Sequence, residues 1–157
     1  MKNNILHRDL KLENMLIHFP NVNLLEYTTD KKREFLKNVD LKKEKFIVKI
    51  ADLGLAKKVH YEGGFAGTSV GSPLYMAPEV IMGNKYNYKA DIWSIGTVLF
   101  EMVTGFPPFI GRNIDDFTEN VKDATYKIPK DIELSLDCFE FINGCLRFKS
   151  DERFTAD

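Results

Sequence analysis

The sequence predicts a mainly helical chain with one small β-hairpin, and two kinds of pattern lead to this prediction. Apolar residues recur at helical spacing between Ile92 and Val103 and again between Leu134 and Phe148. Two shorter apolar runs, at 14–18 and 46–51, have the length of strands, and the second is rich in β-branched residues. We expect these two runs to pair as the hairpin.

The helices can be placed in chain order. One is expected after Ala77-Pro78-Glu79, and a stronger one is expected from near Asp91 to Thr104-Gly105, where Pro107-Pro108 follows and stops it. A last helix is expected over 134–148. Its apolar face comprises Leu134, Cys138, Phe141 and Cys145.

Composition narrows the class of protein. The 157 residues include 22 basic and 23 acidic side chains, a formal charge of −1, so no excess of positive charge favours nucleic acid. The most apolar stretch, 92–110, contains Glu101 and Pro107-Pro108, which indicates a buried helix and a turn rather than a membrane span. Two cysteines are too few for a disulfide framework and predict a reducing, cytoplasmic location. We favour core packing over redox or metal chemistry for both.

A charged segment at about 20–45 separates the two strand-like runs. Between residues 26 and 45 it holds seven Lys or Arg and five acids, with few apolar residues among them. Phe35 and Val39, four residues apart, allow a short amphipathic helix, but we favour a mobile loop that projects into solvent. The acids would cancel most of the attraction for phosphate, so this segment is not expected to bind nucleic acid.

The residue pattern that carries chemistry is His7-Arg8-Asp9-Leu10-Lys11-Leu12-Glu13-Asn14. An Asp and an Asn five residues apart, with a Lys between them, can aim an acceptor, a cation and an amide oxygen at one point. Asp52-Leu53-Gly54, at the exit of the second apolar run, adds a second carboxylate. Phosphoryl transfer needs such a set, because it requires a proton acceptor for the attacking hydroxyl, a cation beside the phosphoryl group and oxygen ligands for Mg²⁺.

These strings, followed by Ala77-Pro78-Glu79, resemble the catalytic loop, the metal loop and the end of the activation segment of eukaryotic protein kinases. Their order and spacing agree with that family. The resemblance implies ATP and Mg²⁺ as cofactors. It implies that Asp9 is the catalytic base, that Lys11 steadies the γ-phosphate, that Asn14 and Asp52 ligate Mg²⁺, and that Leu16 lies in the nucleotide site.

The resemblance also assigns structural residues. His7 would pack beneath the metal loop, and Asp91 begins a string similar to the central helix of the large lobe. Glu79 and Arg153 would form the buried ion pair that anchors the activation segment. Thr68 falls where related kinases carry an activating phosphate, with Ser69 as its competitor, and an upstream kinase is the implied partner. A phosphate there could pair with Arg8 and order the loop.

Substrate preference is implied by the same resemblance. Ser72 matches the residue whose hydroxyl contacts the catalytic Asp and Lys in serine/threonine kinases, so protein substrates with Ser or Thr acceptors are expected. Glu13 and Glu101 match positions that bind an Arg near the acceptor in some basophilic kinases, and for Glu101 plain surface solvation is an open alternative. The string at 71–82 is similar to the autophagy-initiating subfamily, while 97–109 is shared with calcium/calmodulin-type kinases.

The resemblance covers residues 1–157 but only part of the family's domain, from the catalytic loop to near the end of the C-terminal, large lobe of an α+β fold. The sequence contains no glycine-rich loop and no V-A-I-K lysine before the catalytic loop, so the N-terminal lobe is expected to be absent and the fragment inactive alone. Leu53 replaces the usual Phe of the metal loop, and Leu12 replaces a common Pro.

These residues are compatible with three functions. The first is an ATP-dependent protein serine/threonine kinase, present here as its large-lobe portion. The second is a non-catalytic, kinase-like interaction module or pseudokinase. A small-molecule phosphotransferase comes third, since such relatives keep the Asp and Asn of the loop but lack a segment ending in Ala-Pro-Glu.

Overall fold

The computed structural model describes residues 5–58, 72–122 and 126–156. Nine helices and strands follow one another along these ranges: β1 (Ile5–Leu6), β2 (Met15–His18), α1 (Thr29–Asn38), β3 (Ile47–Ile50), β4 (Lys57–Lys58), α2 (Pro78–Ile81), α3 (Lys89–Thr104), α4 (Ile114–Lys122) and α5 (Leu136–Cys145). Short 3₁₀ helices lie at 12–14, 24–26, 73–75 and 150–152. The mainly helical prediction is confirmed. Within these ranges, none of the helices is both long and apolar enough to cross a membrane.

The chain divides into two compact units. We call residues 13–51 the hairpin unit, and residues 1–12 together with 52–157 the helical unit. The charged segment at about 20–45 lies within the hairpin unit.

The predicted hairpin is present in the hairpin unit. β2 and β3 pair antiparallel, with Met15 opposite Ile50 and His18 opposite Ile47. The backbone N–H of Ala51 donates to the carbonyl of Asn14 at 2.8 Å and extends the ladder by one step.

The expectation of a mobile loop over the charged segment is wrong, because α1 occupies ten of its residues. The Thr28 hydroxyl caps the helix by accepting the N–H of Lys31. Phe35 then packs edge-on against Phe19 at 5.1 Å and against Tyr27 at 6.3 Å between ring centroids. A cap and three aromatic rings therefore stabilise the short helix that the spacing of Phe35 and Val39 allowed as the alternative to a loop.

The helical unit contains a second two-stranded ladder that the sequence did not predict. β1 pairs antiparallel with β4, placing Ile5 opposite Lys58 and Leu6 opposite Lys57. Each strand has two residues, too few for an alternating pattern to be recognised.

The core of the helical unit is built around α3. Trp93 and Phe100 are fully buried, Trp93 stacks on Phe109 at 5.4 Å, and Phe100 meets Tyr126 edge-on at 5.1 Å. The helix begins at Lys89, two residues before the expected start, because Asn87 accepts the N–H of Lys89. It ends as expected at Gly105, which takes a left-handed conformation with φ of 86°.

α3 crosses α5 at close range. A Cβ added to Gly96 would lie 2.5 Å from the Cβ of Cys145, so only glycine permits this approach. Cys145 is buried, and this burial raises the pKa of its thiol to about 11. A buried, neutral thiol packs as a small apolar group, which confirms the core-packing interpretation for this cysteine.

The last helix is shorter than the predicted 134–148. Ser135 caps it by accepting the N–H of Cys138, and it ends at Cys145. Leu134 and Cys138 pack partly buried against the core, whereas Phe141, on the predicted apolar face, is 42% exposed. Ile142 and Cys145 occupy the centre of that face, and Phe141 lies at its edge against Phe154.

Candidate active site

A buried carboxylate holds the backbone of the loop at 7–11. Asp91, in the first turn of α3, accepts the N–H of His7 at 2.8 Å and the N–H of Arg8 at 2.9 Å. Burial raises the pKa of the Asp91 carboxyl, while the two N–H donors oppose that rise. Arg8 has a φ of 70°, a conformation that non-glycine residues seldom adopt. These two hydrogen bonds hold that unusual backbone in place.

Three sequence-predicted residues, Asp9, Lys11 and Ser72, meet at the end of this loop. The Lys11 ammonium lies 2.9 Å from Oδ2 of Asp9 and donates to the Ser72 hydroxyl at 3.1 Å. Ser72 donates to Oδ1 of Asp9 through both its backbone N–H and its hydroxyl, each at 3.2 Å. A carboxylate, an ammonium and a hydroxyl therefore share one point, although Ser72 lies more than sixty residues along the chain from the other two.

Burial sharpens the electrostatics of this cluster. The Asp9 side chain is 9% exposed and that of Lys11 is 24% exposed. Charges with little water around them interact more strongly than at an open surface. The arrangement therefore places a proton acceptor, Asp9, and a positive charge, Lys11, close enough together for a single hydroxyl group to contact both.

The segment that carries Ser72 is fastened to α3 at two points, both through Tyr75. The Ser94 hydroxyl donates to the Tyr75 carbonyl at 2.8 Å, and the Tyr75 hydroxyl donates to Oε2 of Glu101 at 2.6 Å. Ser94 and Glu101 are seven residues apart, so they lie on one face of the helix. Glu101 is therefore half-buried and bonded to Tyr75 of the same chain, a contact that no sequence motif predicted.

Glu79 and Arg153 form the ion pair that the resemblance implied, with N–O distances of 2.8 and 2.7 Å. The Arg153 side chain is fully buried, and its guanidinium lies 5.0 Å from the Trp93 ring. All five of its N–H groups are used: they donate to the carboxylate of Glu79 and to the carbonyls of Lys89, Arg147 and Phe148. Bidentate pairing with further carbonyl acceptors is the geometry that compensates a buried guanidinium.

Asp52 begins the turn that the resemblance identified as the metal loop. It adopts a φ of 62°, and its Oδ1 accepts the N–H of Gly54 at 3.0 Å. Arg8 reaches the same turn, because its Nε donates to the carbonyl of Leu55. His7 is buried, and its Nδ1 accepts the N–H of Asp9 at 3.4 Å. An exposed carboxylate in a tight turn is a suitable hard oxygen donor for Mg²⁺.

The remaining predicted site residues of the hairpin unit are described within that unit. Asn14 is buried at the end of the 3₁₀ helix at 12–14, and Glu13 beside it is exposed. Leu16 lies on β2 with its side chain 53% exposed. Among the residues that the structure describes, no three His, Cys, Asp or Glu side chains cluster as a metal site. Thr68 and Ser69 lie outside the described residues.

Comparison with known proteins identifies the family. The family model of the protein kinase domain matches residues 1–157. The chain therefore belongs to the protein kinase domain family.

Curated relatives of this chain include serine/threonine-protein kinases. Serine/threonine-protein kinase ATG1 of Kluyveromyces lactis is 41% identical over 152 residues, covering 96% of this chain and 18% of that protein. ATG1a of Arabidopsis thaliana is 39% identical over 153 residues, covering 96% of this chain and 21% of that protein. The predicted similarity to the autophagy-initiating subfamily is confirmed. The chain spans about a fifth of the length of these relatives.

Proposed function

We propose that this chain is the large-lobe part, with an insertion at about 20–45, of a protein kinase that transfers the γ-phosphate of ATP to Ser and Thr hydroxyls of protein substrates. The observation that carries the proposal is the cluster of Asp9, Lys11 and Ser72. Family membership and the similarity to ATG1 kinases support it.

In this proposal Asp9 orients the substrate hydroxyl and accepts its proton. Phosphoryl transfer leaves little covalent chemistry for the protein, so positioning and charge carry most of the catalysis. Lys11, already 2.9 Å from Asp9, would offset negative charge on the transferring group. Ser72 would hold both side chains in place through its hydrogen bonds and would favour Ser and Thr acceptors.

The nucleotide and its metal would be held by three further residues. Asn14 and Asp52 supply an amide oxygen and a carboxylate, donors of the kind that Mg²⁺ prefers, and Leu16 presents an exposed apolar side chain for the base of ATP. Bound Mg²⁺ would offset the charge of the ATP phosphates.

Substrate selection and regulation are proposed on the same basis. Glu13 and Glu101 would favour a basic residue near the acceptor, and the Tyr75 contact holds Glu101 in one orientation.

A phosphate on Thr68, added by an upstream kinase in the cytoplasm, would pair with Arg8. Thr68→Ala is then expected to lower activity several-fold, and equal activity with and without phosphatase treatment would contradict this switch.

The proposal is tested by phosphate transfer from labelled ATP, using the longest native polypeptide that carries this chain. Peptides with Ser or Thr acceptors should be labelled, the matched Tyr peptide should not, and chelation of Mg²⁺ should abolish labelling. ATP with Mg²⁺ should raise the Tm of that polypeptide more than the Tm of the 157 residues, which contain no glycine-rich loop. No labelling of any acceptor, with no nucleotide-dependent change in Tm, would favour the interaction-module alternative.

A further inference from the structure

We propose that Lys89 is a positioning residue for the substrate-binding segment, acting through Arg153 and Glu79. The proposal rests on the proposed function only for its kinetic consequence, because the contacts themselves do not depend on the reaction. Lys89 is the first residue of α3 and is 9% exposed, a rare environment for a lysine.

Two hydrogen bonds join Lys89 and Arg153. The Lys89 ammonium donates to the backbone carbonyl of Arg153, and the Arg153 guanidinium donates to the backbone carbonyl of Lys89 at 2.8 Å. Each side chain therefore fixes the other residue's main chain. Such a reciprocal pair holds both the position of the Arg153 backbone and the direction of its side chain.

The charges of this cluster point to a specific need for the ammonium. Lys89 and Arg153 are neighbouring buried cations; Arg153 pairs with the carboxylate of Glu79, and all five of its guanidinium donors are already used. A cation in the first turn of a helix is also disfavoured by the helix dipole. Packing alone would be served by an apolar side chain of the same length. The ammonium instead donates to the backbone carbonyl of Arg153, the residue that follows the 3₁₀ helix at 150–152.

The connection to the substrate segment is short. Glu79 lies seven residues after Ser72, and the intervening chain is a 3₁₀ turn followed by the start of α2. A shift of Arg153 would move Glu79 and loosen this segment, and with it the hydrogen bonds from Ser72 to Asp9. Loss of the Lys89 ammonium should therefore act at residues 72–82 rather than across the whole helical unit.

The test is amide hydrogen exchange in the Lys89→Met variant of the longest native polypeptide that carries this chain. This substitution keeps an apolar side chain of similar length and removes the ammonium. Exchange at 72–82 should rise about three- to tenfold, as expected for one lost hydrogen bond, while exchange in α5 stays unchanged. The KM for the peptide substrate should rise by a similar factor with the KM for ATP unchanged. Lys89→Arg should restore most of both effects. Lys85→Met, at an exposed lysine nearby, is the matched control and should change neither.

Unchanged exchange at 72–82 in Lys89→Met, or an equal rise in α5, would overturn the positioning role. If Lys89→Met does not fold, Lys89→Gln replaces it. Faster exchange at 72–82 in Lys89→Gln than in Lys89→Arg supports the role, and equal rates overturn it. The two proposals can fail separately. If the wild-type protein has no kinase activity but exchange at 72–82 still rises in Lys89→Met, the kinase proposal is refuted and the role of Lys89 is supported.

Discussion

The two units of the molecule are stabilised in different ways. The helical unit buries large apolar side chains such as Trp93 and Phe100 at full depth, whereas in the hairpin unit only Asn14 and Phe19 are buried. The strands of the hairpin leave their apolar side chains about half exposed, among them Leu16, Ile17, Ile47, Val48 and Ile50. Long-range packing thus determines the structure of the first unit, while caps and a few ring contacts determine that of the second.

This difference carries over to the site residues. Asp9, Lys11 and Ser72 lie on backbone that is hydrogen-bonded to Asp91 or fastened to α3 through Tyr75. They are therefore held by the same helix that forms the core, which is the arrangement that preorganised catalysis requires.

The largest expected effect on stability comes from the centre of the helical unit. Phe100→Ala removes a fully buried ring and should lower the free energy of unfolding by about 4 kcal/mol. Leu36→Ala, at a half-exposed position of α1, should change it by less than about 0.5 kcal/mol. Urea denaturation measures both. Equal effects would contradict the contrast between the two units.

The crossing of α3 and α5 should give the next largest effect. Gly96→Ala places a methyl group against Cys145 and Leu146, which cannot both move aside, and should cost about 2 kcal/mol of unfolding free energy. Gly105→Ala is a useful comparison, because its Cβ would meet no neighbouring atom and only its left-handed φ would be strained, at about 1 kcal/mol. A smaller loss in Gly96→Ala than in Gly105→Ala would show that the two helices separate easily.

Alkaline pH should destabilise the helical unit through Cys145. The native state favours the neutral thiol, whose pKa rises from 9.0 to about 11, so the unfolded chain loses its proton first. Stability from this group is complete below pH 9 and is lost as the pH rises towards 11, by up to about 2 kcal/mol. Cys145→Ala should lack this part of the pH profile. A profile identical to that of the wild type would contradict the assignment.

The smallest effect is expected in the hairpin unit. Thr28→Ala removes the cap of α1 and should cost about 1 kcal/mol, confined to that helix. Faster amide exchange within 29–38 and an unchanged unfolding midpoint of the core are the expected signs. Cooperative loss of the whole chain would instead show that the insertion supports the core.

The sequence predicted the features that depend on spacing and missed those that depend on contacts between distant, ordinary residues. The resemblance to the kinase motifs pointed to Asp9, Lys11 and Ser72, and helical periodicity located α3. By contrast, the bond between Tyr75 and Glu101 joins residues that belong to no common motif.

The charged segment at about 20–45 also shows where prediction from the sequence fails. Its composition indicated a loop, but one hydroxyl cap and the ring of Phe35 are enough to hold a ten-residue helix. Composition averages over a window, whereas a cap depends on a single residue at one position.

The most direct test of the central claim is the rate of phosphate transfer by Asp9→Asn in the longest native polypeptide, compared with Asp131→Asn at an exposed aspartate. Loss of the proton acceptor should lower kcat about 10²- to 10⁴-fold while nucleotide binding stays close to wild type. Asp131→Asn should have wild-type kcat. Turnover that survives in Asp9→Asn would contradict the role of the cluster formed by Asp9, Lys11 and Ser72.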